Sequence, residues 1–351
     1  MKKRILVAPL NWGLGHATRC IPIIKALIVY GFEPVIASDG MSLVLLQKEF
    51  PNVLTIELPT YDVTYAKKGK HFKLKMLKDS PKLIKAIKAE KKATKTIVEL
   101  HHIAGIISDN RLGVYCEKIP SVFMTHQLNV LSGITTWFST KIHQKIIKNF
   151  DECWVPDHAG ELNLSGKLGH TRSFEIPTKY LGPLSRFTKS DLKITNDLMV
   201  LLSGPEPQRT LLEDRLFNAL KNYNGRIVFV KGVMETKQTI SVQGNLTVYN
   251  FMTSDLLEQT INQSRLIISR SGYTTVMDLA KLKKHAFFIP TPGQFEQEYL
   301  AQRLTKSELV PSCHQDDFTI NSLENIDHFK GLKSFDYAID FKDLFGFFER
   351  E

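Results

Sequence analysis

The chain has 351 residues, enough for two domains of ordinary size, and its 43% hydrophobic and 23% charged residues are a soluble, globular composition. Cores of that size need neither a disulfide nor a metal to stand, and the lack of any run of ~18 uncharged apolar residues excludes a membrane-spanning helix. The net charge of +10 is matched by one segment, since twelve lysines face only Asp79 and Glu90 between Lys67 and Lys95.

The first half alternates short β-branched runs with helical patterns. Residues 5–8 read as a strand, and residues 17–30 as a helix with Ile21, Ile24, Leu27 and Ile28 on one stripe. Strands are predicted at 34–38, 53–58, 103–108, 121–124 and 153–155. Ser80 and Pro81 form a helix start for the basic segment, with Leu83, Ile84, Ile87, Ile97 and Val98 as its apolar stripe. Ahead of it, Phe72, Leu74, Met76 and Leu77 interleave with lysines in an expected loop.

The pattern restarts after Gly182-Pro183, and the polar stretch 185–196 reads as a linker. Strands at 197–202, 226–230, 246–249, 266–269 and 286–289 follow, with helices between them, one at 210–221. Beyond Leu304 the pattern weakens, and the aromatic-rich 335–348 reads as one closing helix with a short tail. Nearly continuous apolar strands separated by helices imply parallel sheets covered on both faces. The expected architecture is α/β: two Rossmann-like, doubly wound domains facing a central cleft, over 1–185 and 186–330, with a tail at 331–351. Ligands of such sheets sit beyond the carboxyl ends of the strands.

No secretory leader is visible, because the basic start Lys2-Lys3-Arg4 is followed by only four apolar residues. Cys20, Cys116, Cys153 and Cys313 have neither C-x-x-C nor zinc-ligand spacing and are expected to be reduced thiols. The expected location is the cytoplasm.

Four motifs follow strands. Gly13-Leu14-Gly15-His16 opens a helix and runs on to Arg19. Its glycines let the backbone approach an anion, and His16 either takes a proton from an incoming hydroxyl or caps the helix. The third glycine of a dinucleotide fingerprint is missing, so NAD is not expected. Asp109 ends the strand at 103–108, where it either orients His16, as the acid of a triad does, or caps the next helix. His126 and Asn129, in Thr125-His126-Gln127-Leu128-Asn129, line an acceptor pocket or simply make a turn. Lastly, Arg270-Ser271-Gly272 leads from a strand into a helix whose N-terminus can hold a phosphate. Asp278 lies one and a half to two turns in, where a carboxylate can accept ribose hydroxyls. Gln297 and Glu298, after the next strand and turn, can grip sugar hydroxyls.

The block from Arg270 to Tyr299 resembles the donor site of the MurG-like glycosyltransferases of family 28. The resemblance, over about residues 1–305, implies a GT-B fold and an inverting transfer from a UDP-sugar without a bound metal or other cofactor. It implies uridine ribose at Asp278 and donor sugar at Gln297 and Glu298, where the family has Gln-Gln. Asn250-Phe251-Met252 is similar to the stretch whose backbone meets uracil, with Phe251 and Met252 as donor residues. Ser203-Gly204 stands at a Gly-rich turn of the family, most of which is replaced here by Pro205-Glu206-Pro207-Gln208. Gly13, Gly15, Arg19, His126 and Asn129 match its acceptor-facing stretches. The Gly13-x-Gly15-His16-x-x-Arg19 loop also resembles that of a UDP-sugar hydrolase of the pseudaminic acid pathway, in which the His activates water.

The reading is therefore a glycosyltransferase acting on a hydroxyl acceptor, with a lipid or lipid-linked sugar implied by the resemblance, since such family members meet anionic membrane through basic segments like 67–95. A solvated lysine face is the plainer reading of that segment. Nucleic acid is not an expected partner, since stacking aromatics are sparse there. The alternatives are a UDP-sugar hydrolase and a non-catalytic module that binds anionic surfaces.

Overall fold

The computed structural model describes residues 2–61, 72–171, 174–233, 235–332, 335 and 338–349, with only the backbone described at 72–81 and 134. The chain forms two compact units, Met1–Arg186 together with Tyr337–Glu351, and Phe187–Asp336.

In the first unit the strands are β1 (Arg4–Pro9), β2 (Glu33–Ser38), β3 (Thr55–Glu57), β4 (Ile103–Asp109), β5 (Ser121–Met124), β6 (Glu152–Val155) and β7 (Thr178–Tyr180). They form one sheet in the order β3-β2-β1-β4-β5-β6-β7, and every pairing is parallel. This is the doubly wound order, which reverses beside β1. Leu6, Ala8, Val35, Ala37, Ile103 and Ile106 pack one core, while Phe123, Cys153 and Val155 pack another. Helix α1 (Gly15–Val29) buries Ile21, Ile24 and Leu27 of its expected stripe, together with Cys20, but leaves Ile28, the fourth residue of that stripe, 45% exposed. Helix α2 (Gly40–Glu49) follows β2, and α4 (Thr136–Ile147) follows β5.

Helix α3 spans Phe72–His101, so the chain does not wait for Ser80 to become helical. The expected loop at 72–77 is helix because Lys, Leu and Met are strong helix formers, and Pro81 removes only one backbone donor from a 30-residue run. Residues 67–71 of the basic segment lie outside the described residues.

The C-terminal stretch belongs to the first unit and is shorter in helix than its aromatic content suggests. It consists of α9 (Phe341–Phe345) and a 3₁₀ turn, Gly346–Phe348. Its aromatic rings act as anchors: Phe345 meets Tyr30 and Phe32 at 6.0 and 5.7 Å, and Phe348 meets Trp154 at 6.0 Å. Phe348 sits directly on Gly105, where an added Cβ would lie 2.3 Å from its ring.

The second unit holds β8 (Asn196–Leu201), β9 (Ile227–Val230), β10 (Ile240–Gln243), β11 (Leu246–Tyr249), β12 (Ser264–Ser269) and β13 (His285–Phe288). Their order is β10-β11-β9-β8-β12-β13. All pairs are parallel except β10 with β11, a hairpin turned through Gly244-Asn245 with Gly244 at φ +60. Helices α5 (Gln208–Leu220), α6 (Ser254–Asn262), α7 (Tyr273–Lys281) and α8 (Phe295–Lys306) complete it. Leu212, Leu216 and Leu220 of α5 close over Val200, Phe229 and Ile268. Among the described residues, no helix is long and apolar enough to cross a membrane.

Candidate functional site

In the first unit the register aligns three strand ends. Pro9 of β1 and Met124 of β5 both pair with Asp109 of β4. The loops leaving these ends carry Gly13 to Arg19, Asp109 and His126, so side chains far apart in sequence meet at one edge of the sheet. Gly13 turns the first loop with φ +74, and its Cβ side opens on empty space.

The meeting point is a buried charge cluster. His16 Nδ1 lies 3.1 Å from Asp109 Oδ1. Arg19 donates from Nε to Asp109 Oδ2 at 2.7 Å, and a second contact joins its Nη2 to Asp109 Oδ1. Arg19 also reaches His126 Nδ1 from Nη1 at 3.0 Å and His16 Nδ1 from Nη2 at 2.8 Å. Asp109 is fully buried, Arg19 is 1% exposed, and the His16 side chain is 13% exposed. Cys20 Sγ donates to Asp109 Oδ2 at 3.6 Å, and burial keeps it a thiol.

Because guanidinium only donates, His126 accepts at Nδ1 and carries its proton on Nε2. His16 Nδ1 faces a carboxylate oxygen that only accepts and a guanidinium N–H that only donates. Its tautomer is therefore a contest, and an Nδ1–H turned to Asp109 leaves Nε2 as a base. Burial lowers the His16 pKa, with Arg19 adding to the effect and Asp109 opposing it, so the ring is neutral at pH 7. Burial also pushes the Asp109 carboxyl up, but Arg19 and His16 outweigh it and hold it below the usual carboxylate range.

A second cluster escaped the reading of motifs. Arg111 is fully buried, pairs with Asp39, donates from Nη1 to Glu90 Oε1 at 2.7 Å and from Nε to the Pro9 carbonyl at 3.0 Å. Glu90, on α3, also accepts from the Tyr61 hydroxyl and, at 3.0 Å, from Gly113 N–H. Burial raises its carboxyl to about 7. Arg111 is two residues from Asp109, with Asn110 between them at φ 58. The segment that carries Asp109 is thus gripped from both sides. A charged run just after a buried strand was the available signal.

The side-chain amide of Asn129 is tied to the backbone of a neighbouring turn. Its Nδ2 donates to the carbonyls of Lys167 at 2.6 Å and His170 at 3.0 Å, and so pins the 166–170 turn.

In the second unit, Ser269 at the end of β12 pairs with Leu201 of β8 and Phe288 of β13. The three loops beyond these ends carry Ser203-Gly204, Arg270 to Gly272, and Thr291 to Glu298. Ser203 and Gly204 are exposed, with Gly204 at φ +111. Gly272 caps α7 without a side-chain cap, no acidic residue stands in the first turn, and a Cβ added at Gly272 would meet nothing within 4 Å. The first N–H groups of α7 thus point past an unobstructed glycine. Asp278 is half-buried on that helix.

Arg270 is turned inward rather than to a ligand. It is 1% exposed and donates to the carbonyls of Ile289, Pro290 and Gln208 and to Gln315 Oε1, at 3.2, 3.1, 2.8 and 2.7 Å. Ser271 is likewise buried, with Oγ donating to the Gln297 carbonyl at 2.7 Å. Gln297 accepts from Thr291 N–H at 2.9 Å, and Glu298 accepts from Gly293 N–H at 2.8 Å, so both side chains brace the turn ahead of α8. The Phe251 N–H goes to Asn250 Oδ1 at 2.9 Å and its carbonyl to Gln238 Nε2 at 2.8 Å, leaving Met252 as the half-buried end of that stretch. Among the described residues, no three His, Cys, Asp or Glu side chains gather as metal ligands would.

Residues 209–327 match the glycosyltransferase family 28 C-terminal domain. Most of the second unit thus matches a family 28 domain. That family 28 match takes in Arg270, Gly272, Asp278, Gln297 and Glu298. Over 208 residues the chain is 24% identical to the UDP-N-acetylglucosamine–N-acetylmuramyl-(pentapeptide) pyrophosphoryl-undecaprenol N-acetylglucosamine transferase of Haemophilus ducreyi, covering 57% of this chain and 55% of that protein. The chain thus matches about half the length of that relative. It is 21% identical to an uncharacterized glycosyltransferase of Methanopyrus kandleri over 318 residues, 85% of this chain and 86% of the other. The fold matches MurG of Acinetobacter baumannii with a TM-score of 0.57 at 16% identity, over 95% of this chain and 94% of that one. The chain is thus similar to MurG-like glycosyltransferases of family 28 and shares their GT-B fold, without being identical to either relative.

Proposed function

We propose that the protein is an inverting, metal-independent glycosyltransferase that moves a hexose or N-acetylhexosamine from a UDP-sugar to a hydroxyl acceptor. The observation that carries this reading is the 3.1 Å approach of His16 to Asp109, in the loop of a chain most of whose second unit matches a family 28 domain. A neutral His16, oriented through Nδ1, takes the acceptor proton on Nε2 as the acceptor oxygen attacks the anomeric carbon. The bond from that carbon to the β-phosphate oxygen breaks, and UDP leaves with the electron pair. The uncapped N-terminus of α7 at Gly272 stabilises the diphosphate as its charge grows. Asp278 takes the ribose hydroxyls, and Gln297 and Glu298 the sugar. The Haemophilus ducreyi relative is named for transfer to a pyrophosphoryl-undecaprenol acceptor, which supports a lipid-linked acceptor here; such an acceptor in turn favours a peripheral position on the cytoplasmic face of a membrane.

Calorimetric titration of UDP, UDP-GlcNAc, UDP-Glc and UDP-Gal in EDTA, repeated with Asp278→Ala, tests the donor assignment. Tight binding lost in the variant is expected, and no heat with any of the four would sink it. The loop Gly13-Leu14-Gly15-His16 favours one other reading, hydrolysis with water as nucleophile. Release of free sugar from the bound donor, at full rate and with no acceptor present, would make that the activity.

A further inference from the structure

A buried polar group nearly always finds a partner, because leaving it without one forfeits the hydrogen bond it made to water. Among the described residues, nine buried side-chain nitrogens or oxygens have no hydrogen-bond partner, and four of the nine belong to one edge of the second unit: Gln208 Oε1, Ser269 Oγ, Arg270 Nε and Thr291 Oγ1. The Arg270 guanidinium draws them together, since it donates to the carbonyls of Gln208, Ile289 and Pro290. This is the edge at which the ends of β8, β12 and β13 align.

Thr291 tells most about what that edge receives. Its backbone is engaged, the N–H donating to Gln297 Oε1 at 2.9 Å and the carbonyl accepting from Gln294 N–H at 3.1 Å. The residue is 2% exposed, yet its hydroxyl keeps an O–H that no group of the fold accepts. That hydroxyl faces the Ser203-Gly204 turn. A Cβ built on Gly204 would stand 3.9 Å from Thr291 Oγ1, in contact with it, and Gly204 is exposed at φ +111, a conformation that side-chain-bearing residues rarely adopt. Glycine at 204 therefore leaves that side of the hydroxyl uncovered.

The chemistry of the edge narrows the ligand group. Ser271 stands closer to the start of α7 in sequence, but its hydroxyl already donates to the Gln297 carbonyl at 2.7 Å. Thr291 has the O–H that Ser271 lacks, and a phosphate oxygen is the stronger acceptor for it, since a hydrogen bond to a charged group outweighs one to a neutral group. Thr291 also joins the two halves of the donor seat, with its N–H on Gln297 and its hydroxyl toward the loop after β8. In a UDP-sugar the β-phosphate is what joins the sugar to the nucleotide.

We propose that Thr291 is a donor-binding residue, its hydroxyl donating to the β-phosphate of the bound nucleotide beside the Gly204 turn. The proposal rests on the UDP-sugar reading and adds to it a contact that none of the motif residues supplies. The unpartnered hydroxyl disfavours the unliganded fold slightly and rewards the liganded one, which gives it a signature opposite to that of a structural hydrogen bond.

Thr291→Val removes the hydroxyl and keeps the shape, and Thr291→Ser keeps the hydroxyl. Urea unfolding of Thr291→Val should show stability equal to or above that of the wild type, because an apolar group replaces a polar one that had no partner. Calorimetry in EDTA should show UDP affinity lowered by roughly tenfold or more in Thr291→Val, with UMP affinity unchanged and Thr291→Ser binding UDP as the wild type does. An equal loss for UMP and UDP would overturn the proposal, and so would a marked loss of stability in Thr291→Val, which would assign the hydroxyl a partner within the fold. Wild type and Thr291→Val binding UDP equally tightly would defeat this contact and leave the donor site standing. No binding of UDP by the wild type would defeat the donor reading itself, and this contact with it.

Discussion

Arg19 grips Asp109 with two nitrogens, its Nε at 2.7 Å from Oδ2 and its Nη2 on Oδ1, and both groups are shut away from water. Nη1 of the same guanidinium reaches His126 at 3.0 Å. The carboxylate that orients His16 is therefore kept ionised by a neighbour one turn along the histidine's own helix.

Removing that charge should injure catalysis and folding through different routes. Asp109→Asn keeps the shape but loses the acceptor that selects the Nδ1–H form of His16, and kcat should fall by about 10²–10⁴. Arg19→Met strands a buried carboxylate and should lower stability by about 3–5 kcal/mol. Single-turnover rates and urea unfolding measure the two effects separately.

The acid limb of the pH profile should lie below the ordinary histidine value. Burial holds the folded His16 below 6.5, so the base stays deprotonated at pH values where a free imidazole is already charged. The linkage has a definite sign. Below pH 6.5 the unfolded chain binds a proton at His16 that the folded chain refuses, so this residue's contribution to stability is lost as pH falls. A kcat/KM profile checks the first statement. Urea midpoints of wild type and His16→Gln across the same range check the second, the variant showing the shallower fall on acidification.

Arg111→Met should destabilise the first unit by about 3–5 kcal/mol, because Asp39 and Glu90 both lose their buried cation. Urea unfolding measures it. UDP affinity of the folded fraction should not change, since every partner of Arg111 lies in the first unit.

The two neighbours Arg270 and Gly272 should part company. Arg270→Ala leaves three carbonyls and an amide oxygen without their donor and should cost about 2–4 kcal/mol. Gly272→Ala meets nothing in the fold and should change stability by less than about 1 kcal/mol. Its methyl group would stand where a diphosphate approaches α7, so UDP affinity should drop by about tenfold or more. Calorimetry with UDP, paired with urea curves, distinguishes a staple from a ligand-facing turn. Unchanged UDP affinity in Gly272→Ala would remove α7 from the donor site.

Strand and helix periods made most of the fold legible. The buried strands β1, β4, β5 and β12 each hold an uninterrupted apolar run, and Ile21, Ile24 and Leu27 of α1 face inward as its 3.6-residue spacing requires. Missed elements lacked such a signal. All four residues of β10 are exposed, so its pairing with β11 depends on backbone hydrogen bonds and the Gly244 turn rather than on a buried face. Ser80-Pro81 looked like a helix start because caps are read locally, while the run of helix formers before them carried α3 through.

By itself, the sequence determined the doubly wound α/β class, the strand-to-loop position of every motif, and the kinship of the block around Asp278 with family 28, because periodicity and spacing are local properties. Only the tertiary structure decided which polar side chains serve a site and which serve the scaffold. Asp109 and His126 stand 93 and 107 residues from His16 and Arg19, respectively, and meet them only because β1, β4 and β5 are neighbours in one parallel sheet. Arg270 reads as ligand-facing by position, but the buried carbonyls of Ile289 and Pro290 claim its donors, since a polar group out of reach of water must find a partner in the fold.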